Sequence, residues 1–409
     1  MIRTDMIRRE SSEGIGYAVV ELNDVRHVFA SAVPRTGDTL EEQAQDALRT
    51  IKEVNHEEGT RGSIVKQAVF MKDIGQMEAC RQIMRDFYGD ELPATTYIPQ
   101  PPCQGKLLSI EALGVGRATE GVEIRRLSDR VVIASHSGVS WVHCSQIVPT
   151  TQATGVHDRS LSAFENMRQM LQSAGVSFEQ VIRTWLYLGD IVGPEGHTQR
   201  YKELNRARTD FFRDISFAPV TTPGNVNAAI YPASTGIGAS SRDVVMSCIA
   251  LATERDDLVG TPLENPLQTS AFDYSVKYGP KSPKFARAMA LSCGAFASIF
   301  ISGTASITQS ETRYVGDVEG QTRQTLDNIE ALISEDNLRG HGMPGLGTSL
   351  SGLALVRVYI KRQGDYAKTR AVCEARLGEL PIVYAVADVC RPELLVEIEG
   401  IAFSRRSDV

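Results

Sequence analysis

At 409 residues the chain is too long for one ordinary domain, and its 42% hydrophobic content supplies apolar material for more than one core. With 23% charged residues it has the composition of a soluble globular protein. A net charge of -7 and a pI near 5.6 argue against nucleic acid as the main partner. No run of about eighteen apolar residues occurs, so no membrane span is expected. The opening Met1-Ile2-Arg3-Thr4-Asp5 lacks the apolar core of a secretory leader. The seven cysteines, Cys80, Cys103, Cys144, Cys248, Cys293, Cys373 and Cys390, form no C-x-x-C pair, and the seven histidines form no H-x-x-x-H. That inventory suits reduced thiols in a cytoplasm and offers no metal site. No cofactor is expected.

Taken in order, the chain shows one pattern three times: strand, strand, long helix, strand, second helix, strand. The period is roughly 130 residues, so each copy is domain-sized. In the first copy the spacing predicts strands over 16–22 and 28–32, then a helix over 39–54 with Leu40, Ala44, Ala47, Leu48 and Ile51 on one face. A strand over 64–71 follows, then a second helix marked by Met77, Cys80, Ile83, Met84 and Phe87, and a closing strand over 106–113. The second copy opens with strands over 131–134 and 139–143. Its long helix runs from about 161 to 174 with Phe164, Met167 and Leu171 inward, followed by a strand over 181–188, a helix over 201–212 and a last strand over 243–250. The third copy has strands over 285–291 and 298–305, a helix over 317–334, a strand over 354–360, a helix over 366–377 and a final strand over 394–402.

Residues 114–123 and 254–284 read as linkers, the second rich in Pro, Gly, Asp and Ser. Domains are therefore expected at 1–115, 124–253 and 285–409. The Gly-rich run over 340–347 has no Lys where a phosphate-cradling loop needs one and reads as a surface loop. The final strand carries Glu397 and Glu399 two residues apart, so both point to one face. On a wet face they are ordinary; in a closed pocket one becomes a candidate acid with a raised pKa.

The third copy contains Phe300-Ile301-Ser302-Gly303-Thr304-Ala305-Ser306, the helix start Gly316-Asp317-Val318-Glu319-Gly320-Gln321, and the closing Val396-Glu397-Ile398-Glu399-Gly400. In these residues it resembles the YjgF/RidA family. The other two copies match more loosely, the first being a degenerate repeat. The resemblance implies three tandem chorismate-mutase-like α/β domains that form an intramolecular pseudo-trimer, with sites in the clefts between domains. The chain is then a monomeric pseudo-trimer or a higher homo-oligomer. That family's imine deaminases need an Arg ahead of the last strand; the corresponding positions here are Ala94, Pro232 and Ile382.

A narrower resemblance rests on Trp185-Leu186-Tyr187, on Tyr201 through Arg208, and on Tyr231-Pro232-Ala233-Ser234-Thr235-Gly236. It also rests on Pro280-Lys281-Ser282-Pro283-Lys284-Phe285 and Val389-Cys390-Arg391-Pro392-Glu393. In these stretches the chain resembles the chorismatases, YjgF relatives that remove pyruvate from chorismate. The resemblance implies a chorismate lyase or hydrolase in which Glu397 protonates the enolpyruvyl methylene carbon, while cations hold two carboxylates. The matching positions in the sister copies are read as Ser109 and Ser247, so only the third copy carries an acid there.

Tyr201 and Arg208 are seven residues apart on a helix, share a face and suit a carboxylate; a surface Arg beside a packed Tyr is the plain alternative. Ser234 and Thr235 offer hydroxyl and backbone donors in a Gly-rich turn, or are simply a turn. Arg357 reads as a second anion clamp or a snorkelling surface Arg. Gly303 and Cys390 resemble the pocket residues of the subtype that forms 3-hydroxybenzoate, with Cys390 otherwise a small buried hydrophobe. Glu397, Tyr201 and Arg208 are thus the expected catalytic group, and Ser234, Thr235, Gly303, Arg357 and Cys390 the substrate-binding group. Two other readings stand beside this one: a silent small-carboxylate-binding protein of the same fold, and an imine deaminase. Ribonuclease activity is disfavoured by the acidic charge.

Overall fold

The computed structural model describes residues 6–22, 25–60, 63–117, 122–218 and 230–406. The reading of residues 1–5, linker residues 118–121 and the final residues 407–409 lie outside the described residues. The first unit contains β1 (Ile7–Ser12), β2 (Ile15–Leu22), β3 (Val25–Ala32), α1 (Leu40–Glu57), β4 (Ile64–Met71), α2 (Met77–Tyr88), β5 (Ala94–Ile98) and β6 (Leu108–Arg117). The second contains β7 (Glu123–Arg126), β8 (Val131–His136), β9 (Val139–Ile147), α3 (Gly155–Ser173), β10 (Val181–Gly189), the short hairpin β11 (Pro194–Glu195) and β12 (Thr198–Gln199), α4 (Arg200–Phe212), β13 (Ala233–Ala239) and β14 (Val244–Thr253). The third contains β15 (Leu258–Leu263), β16 (Ala288–Cys293), β17 (Phe296–Ala305), the short hairpin β18 (Ile307–Thr308) and β19 (Glu311–Thr312), α5 (Val318–Ile333), α6 (Glu335–Gly340), β20 (Leu353–Ile360), α7 (Tyr366–Leu377), β21 (Ile382–Val386) and β22 (Val396–Arg405).

Each unit builds one six-stranded sheet with the same order: β1-β2-β3-β6-β4-β5, β7-β8-β9-β14-β10-β13 and β15-β16-β17-β22-β20-β21. The first unit, degenerate in sequence, is as complete as the others. One strand at each edge of every sheet goes beyond the sequence pattern. The far edge strand is short and pairs parallel to its neighbour, as Lys66↔Ala94, Arg183↔Ala233 and Val356↔Ile382 show. The near edge strand of the third sheet, β15, lies within the stretch read as a linker, so this unit begins before residue 285. Its backbone pairs with β16 from Leu258↔Cys293 to Leu263↔Ala288, which a Pro- and Gly-containing sequence does not advertise.

Local signals set the helix ends where caps are local. Thr39 starts α1: its hydroxyl accepts from the Glu42 N–H at 3.2 Å, and the Glu42 carboxylate accepts from the Thr39 N–H at 3.0 Å. Asp317 caps α5 from the Gly320 N–H at 3.0 Å. By contrast α3 begins six residues before the expected start. Thr154 makes no side-chain cap, and the Val156 N–H instead donates to Glu195 of the β11–β12 hairpin at 2.9 Å. A cap delivered by a distant turn leaves no signal in the helix's own sequence.

One face of each sheet packs under its own helix pair, burying Leu48, Ile51 and Met84 in the first unit, Phe164, Met167 and Leu171 in the second, and Leu326, Ile329 and Cys373 in the third. The opposite faces turn on one another and share a core that includes Phe29, Phe70, Trp185, Tyr187, Phe300 and Phe403. In β22 the alternation is direct. Val396, Ile398 and Ala402 face the helices, whereas Ile401 and Phe403 face the shared core. Glu397 and Glu399 therefore point inward, between units.

A buried ionic network spans the three sheets. The Arg357 guanidinium donates to both Glu111 oxygens, at 2.5 and 2.7 Å, and to Glu399 at 3.1 Å. Arg183 donates to Glu399 at 2.5 Å, and Trp185 and Tyr359 add donors at 2.8 and 2.9 Å. Glu399 is thus held by residues of two units, and Glu111 brings in the third. Replacing Arg357 by Met leaves two buried carboxylates short of donors. We expect a loss of about 3–5 kcal/mol in unfolding free energy, read from the urea midpoint; an unchanged midpoint would mean that the network adds no stability.

Candidate active site

The second and third units meet along β13 and β17. The Ser234 N–H donates to the Ser302 hydroxyl at 2.9 Å, and the Gly303 N–H to the Thr235 hydroxyl at 2.9 Å. Beside this seam lies a cleft of about 370 Å³. Tyr201, Lys202 and Asn205 of α4 and Ser234 and Gly236 of β13 form one wall. Gly303 of β17, Glu397 of β22 and the segment from Cys390 to Glu393 form the other, and the connection through Tyr274, Lys281 and Phe285 covers it.

Glu397 is 4% exposed, and no hydrogen bond from another described residue reaches its carboxyl. Burial, reinforced by the negative charge of Glu399, pushes its pKa up to about 8; Arg183 and Arg287 oppose this only partly. Its strand neighbour behaves oppositely. Burial would raise Glu399 as well, but Arg183, Arg357, Thr235 and Trp185 hold it below the usual carboxylate range. Two carboxyls on one strand are thus driven to different protonation states. Gly303 makes room for the acid: a Cβ there would sit 2.1 Å from Glu397 Oε1.

Tyr201 packs over Gly236, and burial raises its pKa, so it is a neutral phenol. Cys390 lines the same space as a neutral thiol, its pKa pushed up to about 12 by burial. Five cationic side chains, Lys202, Lys277, Lys281, Arg287 and Arg391, face the cleft against the carboxyls of Glu393 and Glu397. Arg287 is held by the Thr269 carbonyl at 2.7 Å and the Tyr274 hydroxyl at 2.8 Å, yet its Nε has no partner among the described residues. Arg391 donates to the Ser310 carbonyl at 2.9 Å, lies 4.2 Å over the Tyr278 ring and keeps Nη2 without a partner among the described residues. Such buried, unanswered donors beside a protonated acid suit an anionic substrate that accepts a proton. Among the described residues no group of three or more His, Cys, Asp or Glu is placed to hold a metal ion.

The comparisons with known proteins agree with this geometry. Residues 117–252 match a family model described as chorismatase FkbO/Hyg5-like, N-terminal. A 3-hydroxybenzoate synthase of Streptomyces hygroscopicus is 33% identical over 65% of this chain and 75% of its own length. The chain belongs to the chorismatase family. A solved chorismatase crystal structure superposes with a TM-score of 0.63 at 25% identity, covering 83% of this chain and 93% of that one. A RutC family protein of Pyrococcus horikoshii is 33% identical over 26% of this chain and 78% of its own length. The chorismatase match and this single-unit match together fit a chain built from repeated YjgF-like units.

Within this chorismatase fold the cleft brings together Glu397, Tyr201, Ser234, Gly303 and Cys390. Arg208 stands just behind the wall, buried, donating to Asn205 Oδ1 at 2.5 Å and to the Ser234 hydroxyl at 3.4 Å. Thr235 and Arg357 lie elsewhere. The Thr235 hydroxyl donates to Glu399 and accepts from Arg183 and the Gly303 N–H. Arg357 is committed to Glu111 and Glu399 and is no clamp in this cleft. Strand register also corrects the alignment of the copies. Glu397 pairs with Tyr359, Ser109 with Phe70 and Val245 with Tyr187, so Val245 is the second copy's counterpart of the acid; Ser247 matches Glu399 instead.

Sequence reading missed Arg287 and Arg391 as site residues, although Arg391 follows Cys390 directly in a quoted motif. Arg287 sits in an otherwise apolar run, and its orientation depends on Thr269 and Tyr274 from the connection.

Because Glu397 titrates near 8 when folded and near 4.5 otherwise, the folded chain binds an extra proton between these values. Stability should therefore fall as pH rises through that window. Comparing melting temperatures at several pH values, we expect a smaller fall in Glu397→Gln than in the parent. Equal slopes would mean that Glu397 is not the titrating group.

Proposed function

We propose that this cleft cleaves the enolpyruvyl ether of chorismate, releasing pyruvate and leaving 3-hydroxybenzoate. The observation that carries the reading is Glu397, a carboxyl kept protonated by burial inside a cation-lined cleft. The name of the Streptomyces relative, a 3-hydroxybenzoate synthase, supports the product assignment.

The Glu397 carboxyl gives its proton to the enol methylene carbon, which becomes a methyl group while positive charge develops on the ether carbon and oxygen. The bond from ring carbon to ether oxygen then breaks, its electron pair staying on oxygen to form the keto group of pyruvate. The ring hydroxyl moves to the carbon that pyruvate leaves, and loss of a ring proton makes the ring aromatic. That proton returns to Glu397, and no water enters the overall balance. Arg287 and Arg391 receive the substrate carboxylates, a role supported by the donors that each leaves unanswered among the described residues. Tyr201 and Ser234 orient the substrate, and Arg208 positions both through the back of the wall. Gly303 and Cys390 set the room around the acid. Thr235 and Arg357 act through Glu399, whose fixed charge helps to hold the Glu397 proton.

The reading needs no metal or cofactor, and one chain supplies all the units it requires. No described helix is long and apolar enough to cross a membrane. The free cysteines support a reducing, cytoplasmic setting.

The test is incubation with chorismate, following pyruvate by a coupled assay and the aromatic product by absorbance. We expect pyruvate and 3-hydroxybenzoate in equal amounts, with the turnover number of Glu397→Gln reduced by about 10²–10⁴-fold. The rate of the parent should drop as pH rises through about 8, where the acid loses its proton. Binding of chorismate by folded protein without pyruvate would favour the silent carboxylate-binding alternative. Arg391→Ala should raise KM by about tenfold or more with less effect on the turnover number; an unchanged KM would remove Arg391 from substrate binding.

A further inference from the structure

A second chamber lies on the other side of the Glu399 network, where the three sheets face one another. Its volume is about 150 Å³, and dry cavities of that size take up benzene. Phe29, Trp141, Leu291, Phe300, Ile401 and Phe403 supply much of the wall. Polar side chains gather within it: Lys66, Glu111, Arg183, Arg357 and Glu399. Three cations there face two carboxylates, so the buried cluster carries one surplus positive charge.

The surplus falls on Lys66. Arg357 takes Glu111 with two N–H groups, and Arg183 and Arg357 share Glu399. The Lys66 ammonium is 8% exposed as a residue, stands 3.9 Å from Glu111 and 4.4 Å over the Trp185 ring, and has no hydrogen bond to another described residue. Burial and the charge of Arg357 bring its pKa down to about 8, which leaves it mostly cationic at neutral pH. Other atoms of lining side chains, Trp141 Nε1 and His143 Nδ1 among them, are buried without hydrogen-bond partners among the described residues.

We propose that this chamber binds a single-ring aromatic monocarboxylate of benzoate size, with its ring among the aromatic side chains and its carboxylate on Lys66. One negative charge answers one surplus positive charge, and the ring suits the volume. A dianion with an enolpyruvyl arm suits neither. The proposal stands apart from the reaction assigned to the cleft, although the hydroxybenzoate formed there belongs to the same chemical class.

Both tryptophans of the chain, Trp141 and Trp185, line this chamber, so intrinsic tryptophan fluorescence reports on it. The probe is benzoate, titrated into the full chain and into Glu397→Gln, Lys66→Met and Ala134→Phe, the last filling the chamber from its wall. We expect a saturable fluorescence change in the parent and in Glu397→Gln. The midpoint should weaken by at least about tenfold in Lys66→Met, and the response should shrink in Ala134→Phe. No saturable change in the parent, equal binding by Lys66→Met, or loss of the response in Glu397→Gln alone would each overturn the assignment. Pyruvate release from chorismate is measured separately in the parent, so failure of either reading is seen on its own.

Discussion

The charge on Glu399 is the constraint from which the rest of the interior follows. A carboxylate this deep, 3% exposed, persists only because Arg183, Arg357, Trp185, Tyr359 and Thr235 all donate to it. Those donors come from the second and third units, and Arg357 in turn clamps Glu111 of the first. Separating the units would break the charge-assisted hydrogen bonds that Glu111 and Glu399 receive across them. The network therefore does for one chain what subunit contacts do for an assembly of three: it fixes how the sheets face each other.

The same charge acts on Glu397. Two residues along a strand is about 7 Å, close enough in a buried setting for one carboxylate to discourage ionisation of the other. Glu399 has the donors and stays ionised; Glu397 has none among the described residues and keeps its proton. Divergence among the repeats has left this pairing in one place. The register puts Ser109 and Val245 at the positions equivalent to Glu397, so the other two closing strands supply no acid there.

The repeat, the long helices and the shared face of the two carboxylates were legible in the sequence because each is a periodic signal: Ala44, Leu48 and Ile51 on one face of α1, or Glu397 and Glu399 in phase on β22; that this face turns inward depends on how the sheets meet. Short edge strands such as β21 and β15 were not, since a few residues carry too little pattern and their pairing partners are distant. Glu397 was recognisable through its resemblance to a known motif. Arg357 was misplaced for a physical reason. Its side chain follows the nearest buried carboxylates, Glu111 and Glu399, and nothing local to β20 records that Glu111 lies across from it. Arg287 was missed on the same account, its partners lying in a connection read as a linker.

The two cavities are joined by a short chain of contacts. Thr235 donates its hydroxyl proton to Glu399 and, with the same oxygen, accepts the N–H of Gly303. Gly303 in turn leaves the space that the Glu397 carboxyl fills. The backbone at the cleft floor is thereby anchored to the charge at the centre of the molecule. A shift of Glu399 would be felt by Thr235 first, then by the peptide at Gly303, and last by the acid.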